Sequence, residues 1–161
     1  MMWSKRGIYW FHVYKQRKPG SKQAEAAYRQ AIEAIAKALY IDDFTFCGAL
    51  HASNLALSLT DSGKLEDAEN FVKQALKINP WSEEAYRTLY AITLKKREYK
   101  KALNCLKKLS KIKPKDGEIH LDRAALHYFL NQTEKAKEEY NKGIKLGAKP
   151  RQKLEQLILS H

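Results

Sequence analysis

The chain has 161 residues, one domain's worth on a scale of roughly 100–200, and is 44% hydrophobic and 30% charged. Seven glycines and four prolines are too few for a turn-dense all-β fold, and two cysteines, Cys47 and Cys105, without CxxC spacing exclude a disulfide scaffold. Thirty Lys and Arg against 18 Asp and Glu leave a formal charge of +12, which favours anionic partners and says nothing of fold.

The first 24 residues hold Lys5, Arg6, Lys15, Arg17, Lys18 and Lys22 and no acid. Trp3, Gly7, Trp10, Phe11 and Tyr14 share one helical side, so a helix over Trp3–Tyr14 is expected to bury that side on the next helix. Contact of residues 1–18 with a membrane surface or a partner is the alternative. The apolar run Ile8–Phe11 is far short of the roughly 20 residues that span a bilayer, and no small-residue cleavage site follows it. A cytoplasmic location is therefore expected. After Pro19-Gly20-Ser21, the series Ala24, Tyr28, Ala31, Ile32, Ile35 and Leu39 predicts a helix of about 20 residues. Asp42-Asp43 is expected to begin the helix that contains Ala52.

From there a period of 34 governs the chain. Ala68, Ala102 and Ala136 fall in one column, Val72, Leu106 and Tyr140 in another, Ile78, Ile112 and Leu146 in a third, and Pro80 and Pro114 in a fourth. The units are 49–82, 83–116 and 117–150, each reading as two helices. In the first, Ala52, Leu55, Ala56 and Leu59 have helical spacing, Asp61-Ser62-Gly63-Lys64 interrupts, and Leu65, Ala68, Val72, Ala75 and Leu76 resume it. Proline closes each connection, and Ser82 and Asp116 are placed to cap the helices that follow. Residues 151–161 read as a closing helix, Lys153–Leu159, with Leu154, Leu157 and Ile158 on one side. Residues 1–48 read as a degenerate helix pair, because Ala24, Tyr28 and Ala31 repeat the spacing of Ala68, Val72 and Ala75.

These columns resemble the tetratricopeptide repeat family: Leu55, Ala56, Ala68, Val72, Ala75 and Pro80 match its pattern in the first unit, and Tyr86, Leu89, Ala102, Leu106 and Pro114 in the second. The third keeps Ala124, Ala136 and Tyr140 but puts His120, Arg123 and His127 into columns that are apolar or hydroxylated elsewhere. The resemblance implies a single all-α domain over 1–161, a right-handed superhelical solenoid of antiparallel helix pairs with a C-terminal cap. It also implies a concave side lined by the first helix of each pair. The lining residues are then Ser53, Leu57 and Thr60 in the first unit, Arg87, Ala91, Leu94 and Lys95 in the second, and Leu121, Ala125 and Tyr128 in the third. Family members that hold the free C-terminus of heat-shock chaperones use Lys, Arg and Asn at places occupied here by Ser53, Leu57, Thr88, Glu118 and Asp122. That specialisation is not expected here.

No glycine-rich phosphate loop, zinc-type Cys/His spacing or GxSxG turn occurs. His120 and His127 lie two turns apart, about 10 Å along a helix, too far to share an ion, and are expected to pack, with Glu138 or Glu139 as partner. No cofactor, metal or catalytic residue is expected. The sequence therefore predicts a non-enzymatic interaction module or scaffold that takes a peptide or helix of another protein, with acidic character, in its groove. Its rivals are a polyanion or nucleic-acid contact through the outward stripe Lys100, Lys107, Lys108 and Lys111, and a place in a membrane-associated assembly.

Overall fold

The computed structural model describes residues 2–18, 20–41 and 46–160. Within them are nine helices and no strand: α1 Met2–Lys15, α2 Lys22–Ile41, α3 Phe46–Asp61, α4 Leu65–Ile78, α5 Glu83–Lys95, α6 Tyr99–Ile112, α7 Gly117–Phe129, α8 Thr133–Lys145 and α9 Gln152–Leu159. The expected start at Asp42-Asp43 lies outside the described residues, as do the side chains of Trp3, Ile35, Leu39 and Cys47. Two compact units divide the chain, Met1–Ala85 and Tyr86–His161.

In the first unit α1 packs along α2 and α3 along α4, with α2 also touching α3. The expected side of α1 turns inward: Gly7 and Phe11 are buried, and the Tyr14 ring lies 5.3 Å from that of Tyr28. Ile8 and Tyr9 remain exposed on the same helix. Tyr28 ties α2 to α4 by donating its hydroxyl proton to the Asp67 carboxylate, and Lys64 sits over its ring at 4.9 Å. Burial, then the Asp67 bond and charge, push the phenol pKa well above its ordinary value.

In the second unit Tyr86, Tyr90 and Leu94 of α5 pack on Ala102, Leu103, Leu106 and Leu109 of α6, and α7 adds Ile119 and Leu126 to that core. A second core joins Leu121 and Ala124 of α7 to Ala136 and Tyr140 of α8, and Ile158 of α9 closes it. The closing helix covers this core with Ile158 and half-buried Leu154, while Leu157 points to solvent. Helices α7 and α8 approach so closely at one end that a Cβ on Gly117 would stand 2.5 Å from the Gly143 carbonyl oxygen. Only glycine fits there.

The period seen in the sequence is also a period of geometry. Ala68, Ala102 and Ala136 are all fully buried on second helices, where a methyl group permits close approach. The three hairpin turns repeat one backbone shape: Gly63, Arg97 and Asn131 take φ of +77°, +57° and +57°. In each, the next N–H, of Lys64, Glu98 or Gln132, donates back to the carbonyl of Leu59, Thr93 or His127 at 2.8–3.0 Å. This wrap satisfies carbonyls that a helix end leaves open. At the starts, Ser82 Oγ accepts from the Ala85 N–H at 3.2 Å and Asp116 Oδ1 from the Glu118 N–H at 3.1 Å, the two caps the sequence predicts.

Candidate partner-binding faces

The expected lining divides by burial. In the first unit Ser53, Ala56 and Thr60 recur three and four apart on α3, and all three are buried. Ser53 and Thr60 are therefore interior residues, a correction to the lining read from the sequence; Thr60 Oγ1 donates to the Ala56 carbonyl at 2.7 Å, the usual resort of a hydroxyl inside a helix. Leu57, one residue past that strip, is 46% exposed.

In the second unit Arg87, Ala91 and Lys95 recur every four residues on α5, with both cations exposed and Ala91 half-buried. Leu94 sinks partly into the core under α5, and Ala125 and Tyr128 on α7 are half-buried. Leu121 is the second correction: it is fully buried among Ala124, Ala136, Tyr140 and Ile158. Its position is outside the repeat's packing columns, but the closing helix covers the core to which it belongs.

Charge pairs position this face. Arg87 Nη2 meets Asp116 Oδ2 at 3.1 Å, so the residue capping α7 also orients a cation of α5. Glu118 and Asp122, one turn apart on α7, both hold Arg151, at 2.7 Å to Nη2 and Nη1. Sequence reading missed this clasp, although it had noted acids at two places where chaperone-tail binders carry cations; here the chain's own arginine occupies them. Burial raises the Asp122 pKa even though the Arg151 bond pulls it down.

His120 and His127 are both buried and bonded within the fold. His120 Nδ1 lies 2.7 Å from Glu139 Oε2, whose other oxygen meets Arg123 Nη2 at 2.7 Å, and His127 Nδ1 lies 2.7 Å from Gln132 Oε1. Burial pushes the Cys105 thiol up to about 11, the opposite of what a nucleophile needs. Among the described residues no group of three or more His, Cys, Asp or Glu could hold a metal ion, and no helix is long and apolar enough to cross a membrane.

Lys100, Lys107, Lys108 and Lys111 are exposed on α6, away from buried Ala102, Leu106 and Leu109. The structure adds an aromatic pair that no sequence window contains. Tyr99 at the start of α6 and Phe129 at the end of α7 stack at 5.4 Å and 14°, with Tyr128 edge-on to Phe129 at 6.1 Å.

Successive helix pairs, three of them joined by one repeated turn, with a closing terminal helix define a helical repeat protein. Tetratricopeptide repeat models match residues 59–115 and 117–148, and the chain belongs to that family. The TPR repeat-containing protein YpiA of Bacillus subtilis (strain 168) is 25% identical over 120 residues, 74% of this chain but 28% of that protein, so the chain spans little more than a quarter of its curated relative. A tetratricopeptide repeat protein of Parabacteroides merdae ATCC 43184 superposes with a TM-score of 0.74 at 17% identity, covering 98% of this chain and 59% of that one. MamA superposes with a TM-score of 0.66 at 22% identity, over 85% of this chain and 78% of its own. At these identities the likeness is one of fold. Tetratricopeptide repeats generally serve as non-enzymatic scaffolds for protein–protein interaction.

Proposed function

We propose that the second unit binds an acidic segment of a partner protein along Arg87, Ala91 and Lys95 of α5 and the neighbouring Ala125 and Tyr128 of α7. What supports this reading is the line of exposed cations on either side of a small residue, about 6 Å from each along the helix, in the same unit as half-buried Tyr128. A carboxylate on the partner meets Arg87 or Lys95 while an apolar side chain covers Ala91 and Tyr128, so charge sets direction and burial supplies affinity. Leu57 is an apolar contact that the first unit offers by itself.

Capture from native lysate tests the reading. Ala91→Glu with Tyr128→Ala is expected to lower the bound partner about tenfold with helicity unchanged, whereas Lys107→Glu with Lys108→Glu leaves it intact. Undiminished capture by the first pair removes this face; loss with the second, falling steeply with salt, moves recognition to the lysine stripe.

A further inference from the structure

The Tyr99–Phe129 stack is unusual because it is left open. Phe129 is 60% exposed, although a phenyl ring gains more from burial than almost any other side chain. Its ring is held all the same, by the near-parallel Tyr99 ring on one side and the edge-on Tyr128 ring on another. An aromatic side chain fixed in place and open to water costs little further ordering when a second ring joins it.

Its surroundings are cationic. Residues 95–101 carry Lys95, Lys96, Arg97, Lys100 and Lys101 against one acid, Glu98, which Lys101 engages at 3.1 Å. Arg97, two residues before Tyr99, and Lys100, the residue after it, are both exposed. Tyr128 belongs at once to this cluster and to the face described above.

We infer that the Tyr99–Phe129 stack anchors an aromatic side chain of the acidic segment, with Arg97 and Lys100 meeting carboxylates on either side of that ring. The inference rests on the second unit being a protein-binding face and adds the chemistry of the residue that binds there. A third ring continues the offset stack, and the edges of an aromatic residue flanked by acids match cations flanking a ring. Single-stranded nucleic acid fits less well. It needs successive stacking platforms along a basic track, whereas Lys100–Ile112 contains no aromatic residue, and Lys107, Lys108 and Lys111 lie about 12–18 Å along α6 from Tyr99.

Fluorescence anisotropy on the full chain with three labelled probes decides the matter: a short peptide of Asp and Glu around one Trp, the same peptide with Ala in place of Trp, and an oligothymidylate. The Trp probe is expected to bind about tenfold tighter than the Ala probe, with a blue shift of its emission. Phe129→Ala erases that advantage and leaves binding of the Ala probe and the circular dichroism unchanged; Arg97→Glu with Lys100→Glu weakens both peptides. Equal affinity for the two peptides, or an advantage that survives Phe129→Ala, overturns the anchor while leaving the cationic face standing. Failure of both peptides to bind overturns the face and the anchor together. Oligothymidylate bound more tightly than the Trp probe, and lost in Phe129→Ala, overturns the anchor in favour of a nucleic-acid platform.

Discussion

The two units use one helical grammar, one nearly neutral and the other strongly basic. The first, residues 1–85, holds 11 Lys and Arg against 10 Asp and Glu; the second, residues 86–161, holds 19 against 8, so almost the whole surplus of the chain lies in the second. The interiors differ too. At positions 34 apart, Ala52 and Phe71 in the first repeat correspond to Tyr86 and Cys105 in the second and to His120 and Glu139 in the third. An apolar pair has become a bonded polar one at the same structural place. The backbone scheme thus accepts either an apolar or a hydrogen-bonded polar filling at the same place.

The largest expected effect separates the two kinds of interior. Glu139→Ala leaves buried His120 without its partner and breaks the Arg123 pair, and should cost about 2–4 kcal/mol, read as a fall in denaturation midpoint. His120→Tyr with Arg123→Leu and Glu139→Cys, which copies Tyr86, Leu89 and Cys105 of the second repeat, should recover most of the loss. A cost within experimental error for Glu139→Ala alone means that the polar network does not hold α7 to α8.

A smaller effect tests what the repeats share. Arg97 holds a left-handed turn that Gly63 holds in the first unit at no steric cost. Arg97→Gly should stabilise the chain by roughly 0.5–1 kcal/mol and Gly63→Ala should destabilise it by about 1 kcal/mol. Destabilisation by Arg97→Gly, or no loss of stability in Gly63→Ala, would mean that the two turns are not equivalent.

The smallest effect concerns the Arg151 clasp. Because burial raises the Asp122 pKa, the folded chain takes up that proton more readily than the unfolded chain, and the group's contribution to stability rises as pH falls through its raised pKa. The melting temperature of the wild type minus that of Asp122→Asn should therefore grow between about pH 7 and pH 4. A difference that shrinks on acidification contradicts the assignment.

Much of the architecture was legible in the sequence because packing columns are local and periodic. Ala68, Ala102 and Ala136, the caps Ser82 and Asp116, and the helix after Ser21 are all where spacing puts them. The His120–Glu139 pairing was narrowed to two acids, since only the fold chooses between adjacent residues. Binding surfaces were harder to read. Ser53 and Thr60 have the composition of a surface, but their strip on α3 is interior, and Leu121 is hidden by a helix more than thirty residues away. Arg151, just before α9, with Glu118 and Asp122 of α7, and Tyr99 of α6 with Phe129 of α7, join residues about thirty apart in the chain. No window of one helix contains either. The turn at Arg97 hid for another reason: an ordinary side chain occupies a backbone shape that glycine usually announces.

The most direct measurement is backbone amide NMR of the labelled chain titrated with the acidic Trp peptide. Shifts concentrated at Arg87, Ala91, Lys95, Tyr128 and Phe129, with Lys107, Lys108 and Lys111 unmoved, are the predicted result. Shifts confined to α1–α4, or spread evenly over the exposed lysines of α6, would contradict recognition by this face.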